Sequence, residues 1–321
     1  MSRCVRQDFL LDTAELQKGE VNYRNGWIQN RLLLLSDVFA IDLLSFAIMD
    51  NHTHLVLFAN KDLAKQWSNI EVLKRWSKLG KLPLLCQLYL NKDWRSKLNE
   101  IELLIVLEQI DGFRSKLADI SAFMSRFNYY IAKRANKEDK VSGHFWEARF
   151  KSQALLSMDA VIACMAYVDL NPVRAKKSLT LHDSSYTSIN YRLQKAKDQK
   201  QARVMALKTQ TTLDCQTDLL GLSLHTYTAY LNGLIAPTNS AKKFDAFSAF
   251  TSSNEYWQKN AISFEDSFSI SAGENELVSL FNKQARLFSN IRQCEITALG
   301  DTILSRLRDS RYLFGKKRLC N

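Results

Sequence analysis

The sequence predicts an α+β fold: a small antiparallel sheet with helices packed on one face, followed by a mostly helical C-terminal region. Three observations predict it. Glycine (10) and proline (3) are scarce among 321 residues, which disfavours an all-β fold or glycine-rich βα repeats, since both need many tight turns. Residues 41 to 60, IDLLSFAIMDNHTHLVLFAN, form two apolar runs flanking Asp50-Asn51, the pattern of a β-hairpin. On both sides of that hairpin, apolar residues recur at helical spacing.

From Asn25 to Phe39 the apolar positions are Trp27, Ile28, Leu32, Leu35 and Val38, so a helix is expected there. In the hairpin, Asp50-Asn51 tolerates the left-handed conformations of a two-residue turn. Asp62 to Ala118 alternates apolar and charged residues and reads as several helices. Asp119 to Arg134 continues as a helix with Phe123, Phe127, Tyr130 and Ile131 on one side. Asn136 to Gly143 is a polar loop, and Arg149 to Ser157 reads as a strand. A further helix opens at Met158-Asp159, with Asp159 as N-cap, and Pro172 helps to stop it near Leu170. Beyond Asn190 the pattern is helical and polar, with a loop near Pro237 to Ser240. Helices and strands in this order suit an α+β layer arrangement.

Composition limits the function. The chain is 46% hydrophobic and 24% charged, enough for a buried core and too apolar for bulk disorder. Its formal net charge of +11 implies a polyanionic partner, nucleic acid first and an anionic membrane surface second. The bland alternative is a merely soluble basic protein. The six cysteines are scattered with no C-x-x-C spacing, which excludes a zinc ribbon or a redox motif built by proximity and suggests buried thiols in a reducing cytosol. No apolar run approaches the roughly 20 residues of a membrane span, and the N-terminus lacks a signal-type apolar core. The protein is therefore expected to be cytoplasmic, with no membrane partner.

Three stretches carry chemistry. His52 and His54 are two of only five histidines. At i and i+2 of a strand they point to one face, where two imidazoles can share one metal ion; a half-exposed strand that happens to carry two histidines is the alternative. Tyr167 and Asn171, in AYVDLNPVR, are i and i+4 neighbours on a helix. A phenol becomes a useful nucleophile where a metal polarises the electrophile, and Asn171 offers a carboxamide oxygen as a third ligand. A tyrosine packed in a core is the plain alternative. GHFWEARFK (143–151) interleaves aromatic and basic residues, as suits stacking on unpaired bases with phosphate contact, or else a loop whose Phe145 and Trp146 are core. Around it, residues 114 to 151 hold nine Lys/Arg against four acids, and residues 174 to 208 nine against two. The tail adds Arg306, Arg308, Arg311, Lys316, Lys317 and Arg318. Three runs of one sign favour a phosphate track. Arg126, Lys133, Arg134, Trp146, Arg149, Lys151 and Arg174 are the expected nucleic-acid contacts.

These stretches together resemble the single-tyrosine HUH transposases, most closely the REP-associated tyrosine transposases and their longer bacterial relatives. FAIMDNHTHLVLF, GHFWEARFKS and CMAYVDLNPVRA carry the resemblance. SRCVRQDFL, NGWIQNRLLLLSDVFAID and SRLRDSRYLFGKK are also similar to the long members. The resemblance implies a ferredoxin-like or RRM-like sheet with the histidines on a central strand. It implies that His52 and His54 are metal ligands, that Tyr167 is the nucleophile, and that Asn171 stands where relatives place a third, glutamine-type ligand. It further implies Mg²⁺ or Mn²⁺, hairpin-forming or palindromic single-stranded DNA, a 5′-phosphotyrosine intermediate, and nucleoid association when bound to DNA. Relatives include dimers and monomers, so a homodimer is among the expected partners. Residues 1–190 would be the catalytic domain, with 60–112 a helical insertion. Residues 191–321 would be a helical accessory region, open to a DNA-binding role. The long members place a strand before the S-R-C-V-R stretch, whereas this chain begins Met1-Ser2-Arg3, so an edge strand is expected to be incomplete.

Two other readings compete. A metal-dependent amidohydrolase also ends a strand in H-x-H, but needs about eight βα units and further histidines; only His144, His182 and His225 follow. A catalytically decayed or domesticated copy would bind hairpin DNA and regulate without cutting.

Overall fold

The structure, a computed structural model, describes residues 1–5, 10–11, 23–196, 204, 222–235, 261–267, 271–290 and 312–314. It is α+β, as the sequence predicts. Strand β1 (Ser2–Arg3) precedes helix α1 (Tyr23–Val38), and then come β2 (Ile41–Ile48) and β3 (His52–Ala59). Five helices follow, α2 (Lys61–Gln66), α3 (Asn69–Ser77), α4 (Leu84–Leu90), α5 (Lys92–Arg95) and α6 (Glu100–Leu117). Helix α7 (Ile120–Glu138), strand β4 (Gln153–Leu155), helix α8 (Met158–Asp169), the short α9 (Asn171–Arg174) and α10 (Ser188–Lys195) come next. Beyond these lie α11 (Leu224–Ile235), α12 (Phe264–Ser267), β5 (Ser271–Ala272), α13 (Asn275–Asn290) and β6 (Tyr312–Phe314).

Caps mark most of the helix starts. Asn99 and Glu102 form a capping box on α6, satisfying backbone donors that have no helical partner. On α8 the N-cap is Ser157, whose hydroxyl accepts from the Ala160 N–H. Asp159 therefore sits in the first turn rather than at the cap, which Ser157 takes two residues earlier. The expected strand from Arg149 to Ser157 shortens to β4, because Lys151 and Glu147 instead give their backbone N–H groups to Met1 and Arg3 carbonyls.

The hairpin turns as expected between β2 and β3, with Met49 N–H bonded to the His52 carbonyl. Neither Asp50 nor Asn51 takes the left-handed conformation that was expected of them. The turn is braced from outside instead: Leu11 N–H bonds to the Asp50 carbonyl and Cys4 N–H to the Asn51 carbonyl, each at 2.8 Å. Lys177 adds an ion pair to Asp50.

Strand β3 is the centre of the sheet. It pairs along its length with β2, from Ile48↔Thr53 to Ile41↔Ala59. Its other edge is shared end to end by β1, at Arg3↔His52 and Ser2↔Thr53, and by β6, at Leu57↔Leu313 and Phe58↔Tyr312. On its far side β6 pairs with β4, and β4 pairs with β5. The strand expected to be incomplete is β1, two residues long, and β6 continues along the same edge of β3.

Alternation along β3 divides the core in two. Leu55 and Leu57 join Leu43, Phe46 and Ile48 of β2 under α1 and α7, through Trp27, Ile28, Leu32, Phe123 and Phe127. Val56 and Phe58 join Leu44 and Ala47 under α8. A bulge between Leu43 and Ser45 lets β2 serve both cores. Helices therefore cover both faces, one layer more than the sequence suggested. The described parts beyond residue 190 are continuous with the second core: Leu224, Tyr227, Leu231 and Phe264 pack with α8. At the sheet's far end Gly273 has φ of +156°, and a Cβ there would stand 2.9 Å from Leu156 Cβ. Gly273→Ala is expected to destabilise the protein by about 1–3 kcal/mol, read as a lower urea midpoint; an unchanged midpoint would show that β5 is not held this close.

Candidate active site

His52 and His54 project from β3 toward α8, on the same face as Val56 and Phe58. Their rings stand 4.7 Å apart, edge to face. His52 is half-buried, with its Nδ1 at 2.5 Å from the Asn51 carboxamide oxygen. His54 is buried at 1% exposure. Burial, helped by the charge of Arg3 and the first amino group, lowers the His52 pKa to about 4. Burial also holds His54 well below its ordinary value, reinforced by His52, the amino terminus, Arg3 and Arg174. Both imidazoles are therefore neutral at physiological pH, each with a lone pair to donate.

Helix α8 lies across this face and brings the tyrosine. It is apolar on every side, from Ala160 to Val168, because it is sandwiched between the sheet and α11. Tyr167 is 6% exposed and its ring centroid is 5.9 Å from that of His54. The Arg174 guanidinium stacks 4.2 Å from the centre of the Tyr167 ring, and Phe264 tilts against it at 6.3 Å. Asn171 opens α9 just after α8 ends, rather than extending α8. Its Nδ2 is 3.2 Å from His54 Nε2; a half-turn of the carboxamide exchanges Nδ2 for Oδ1 as the facing atom. Among the described residues no three His, Cys, Asp or Glu side chains converge as a metal site. Two neutral imidazoles and one carboxamide are the donors that stand together, a set that suits a divalent cation with open positions for other oxygen ligands.

The structure thus brings together His52, His54, Tyr167, Asn171 and Arg174. It sorts the other expected contacts into two groups. The segment 145–151 runs beside β1, through the Cys4↔Trp146 bridge and the bond from Glu147 N–H to the Arg3 carbonyl. Arg149 is exposed and Lys151 half-buried; Lys151 lines a small pocket with Leu55, Leu57, Ile120 and Met124 on the face opposite the histidines. Trp146 is half-buried, gives its indole N–H to the Asn128 carbonyl and packs edge-on against buried Phe145, so it belongs to the fold more than to an open stacking platform. Arg126, Lys133 and Arg134 lie on α7, which packs on the opposite face of the sheet. Arg134 is engaged there by Glu138, the Tyr130 hydroxyl and the Trp27 ring. Arg126 stacks over Trp76 and Lys133 over exposed Tyr129. Arg306, Arg308, Arg311, Lys316, Lys317 and Arg318 lie outside the described residues.

Two groups were missed in the sequence. Arg3 faces His52 across the β1–β3 pairing, and only that pairing reveals it. Among the described residues neither Arg3 nor Arg174 meets a carboxylate, so two guanidiniums beside the site keep their charge for an anion. The second is Asp169, fully buried at the end of α8 and bonded by Ser188, Ile189 N–H and Tyr227. A carboxylate closing the apolar run AVIACMAYVDL was the available signal.

No family model, curated protein or solved structure matches the chain. No helix among the described residues is long and apolar enough to cross a membrane.

The depressed histidine pKa makes a stability prediction for the metal-free protein. The unfolded chain binds a proton at His52 near pH 6.5, the folded one only near pH 4. Stability is therefore full above pH 6.5 and falls as the pH drops toward 4. Denaturant titrations in chelator should show a loss of about 2 kcal/mol from His52 between pH 7 and pH 5. His52→Gln should flatten that part of the profile, and an equally steep profile in the variant would contradict the assignment.

Proposed function

We propose that this chain is a single-tyrosine HUH transposase of the REP-associated kind, cutting and rejoining hairpin-forming single-stranded DNA. The observation that carries it is the meeting of His54 with Asn171, 117 positions later in the chain, and of the same His54 with His52 and Tyr167. Residues singled out by motif alone come to one face of one strand.

His52 and His54 would hold Mg²⁺ or Mn²⁺, with Asn171 Oδ1 as a third ligand; imidazole donors make manganese the better match. Such a cation polarises the phosphodiester and stabilises the departing oxygen. The phenol of Tyr167 attacks phosphorus and gives up its proton to water, the P–O3′ bond breaks, and the 3′ oxygen leaves as a hydroxyl after taking a proton from water. The product is a 5′-phosphotyrosine that keeps a phosphodiester-like bond, so a 3′-hydroxyl can reverse the step without ATP. Arg174, stacked on the Tyr167 ring, favours the developing phenolate, because a nearby cation stabilises the charged form. Arg3, paired across from His52, gives the DNA strand a basic approach to the site.

A second reading, binding without cutting, draws on the burial of Tyr167 at 6% exposure beneath Arg174 and Phe264. Labelled hairpin-bearing single-stranded DNA, incubated with Mn²⁺ and run on a denaturing gel, separates the two. A covalent adduct is expected with wild type and none with Tyr167→Phe; His54→Ala should slow its formation by more than about 100-fold, beyond the loss typical of an outer-shell partner. Wild type that binds the DNA but gives no adduct with any metal selects the binding-only reading. Affinity in the Tyr167→Phe background should fall log-linearly with salt, and a flat response would remove the phosphate track.

A further inference from the structure

Asp169 is an anomaly by the rules of its own helix. A carboxylate at a helix C-terminus faces the negative end of the macrodipole, and burial of a charge is costly unless it is paired and hydrogen-bonded. Local conflicts of this kind concentrate at functional sites. Here the conflict is resolved by contacts from two other elements, α10 and α11. Ser188 Oγ, from the first turn of α10, donates to Oδ1, and so does Ile189 N–H at 2.9 Å. The Tyr227 hydroxyl, from α11, donates to Oδ2 at 2.8 Å. The Arg192 guanidinium stands 4.0 Å from Oδ2 and donates to the Leu44 carbonyl of β2. Ser188 Oγ also stands 3.0 Å from Ser45 Oγ on β2.

These bonds converge on the residue midway between Tyr167 and Asn171. We propose that Asp169 is a positioning residue for Tyr167 and Asn171, and that Tyr227 acts through it as a remote lock, making helix α11 a working part of the cleavage unit. The proposal rests on the cleavage reading above. Its physical basis is that α8 ends at Asp169, so nothing further along that helix fixes the height and rotation of its last turn over His54. A displacement of about 1 Å at a reacting group costs on the order of 100-fold in rate. A region otherwise readable as a detachable accessory thus controls the nucleophile through one hydroxyl.

The test uses the full chain with Tyr227→Phe and Asp169→Asn. Adduct formation is followed in single turnover on hairpin DNA with Mn²⁺, and backbone hydrogen exchange across 164–171 is followed without metal or DNA. Tyr227→Phe is expected to slow the adduct rate about 10-fold and Asp169→Asn about 100-fold. The final adduct fraction and the DNA affinity should stay unchanged. Exchange in the last turn of α8 should quicken about 10-fold in Tyr227→Phe, with α1 unaffected. A smaller adduct fraction formed at the wild-type rate would mean loss of folded protein only and overturns the proposal. Unchanged rate and unchanged exchange in Tyr227→Phe overturn it as well. Wild type without adduct rejects the cleavage reading and the positioning role with it, whereas wild-type adduct with unaltered variants rejects the positioning role alone.

Discussion

The structure depends on one constraint: β3 is paired on both edges and buried on both faces. With β2 along one side and β1 and β6 at the two ends of the other, its backbone is fixed in the sheet, and its side chains are left to choose a layer. Period two then leaves no freedom. Leu55 and Leu57 face the α1–α7 core, so Val56 and Phe58, and with them His52 and His54, face α8. A slip of one residue would move both imidazoles to the α1–α7 core, away from Tyr167 and Asn171. The turn at Asp50-Asn51 is clamped by the backbone of Cys4 and Leu11 and by Lys177, which guards against that slip from the end nearest the histidines.

Charge is distributed around this strand in two ways. Beside the histidines the cations Arg3 and Arg174 are left unmatched by carboxylates among the described residues. Behind α8 a carboxylate and a guanidinium, Asp169 and Arg192, are sunk into the core and bound by hydroxyls and backbone. The first arrangement leaves charge for a ligand; the second spends charge on geometry. A buried ionic network is weak evidence for stability, and its directional bonds matter more for holding α8 in one place.

The insertion between β3 and α7 has a different character. Its helices pack into the α1–α7 core through Val72, Leu73, Cys86, Val106 and Ile110, away from the histidine face. They leave Ile101 and Leu104 exposed at 71% and 66%. Whatever these helices do, they do not build the site from within, and the residues around His54 owe nothing to them.

Local sequence by itself determined the elements whose signal is periodic: the hairpin from Ile41 to Ala59, the helices at Tyr23–Val38, Ile120–Glu138 and Met158–Asp169, and the shared face of His52 and His54. In each, the spacing of apolar or like residues follows from the repeat of a strand or a helix. It also singled out Tyr167 and Asn171, because their motif is local. Only tertiary structure decided which cations stand at the site. Arg3 reaches it through a two-residue strand pairing, while Arg126, Lys133 and Arg134 are carried to the opposite face by α7. It likewise decided that Tyr312–Phe314 lies in the sheet interior and that Tyr227 grips Asp169. Contacts of that sequence separation leave no period to read, since they arise from the closing of one core around α8.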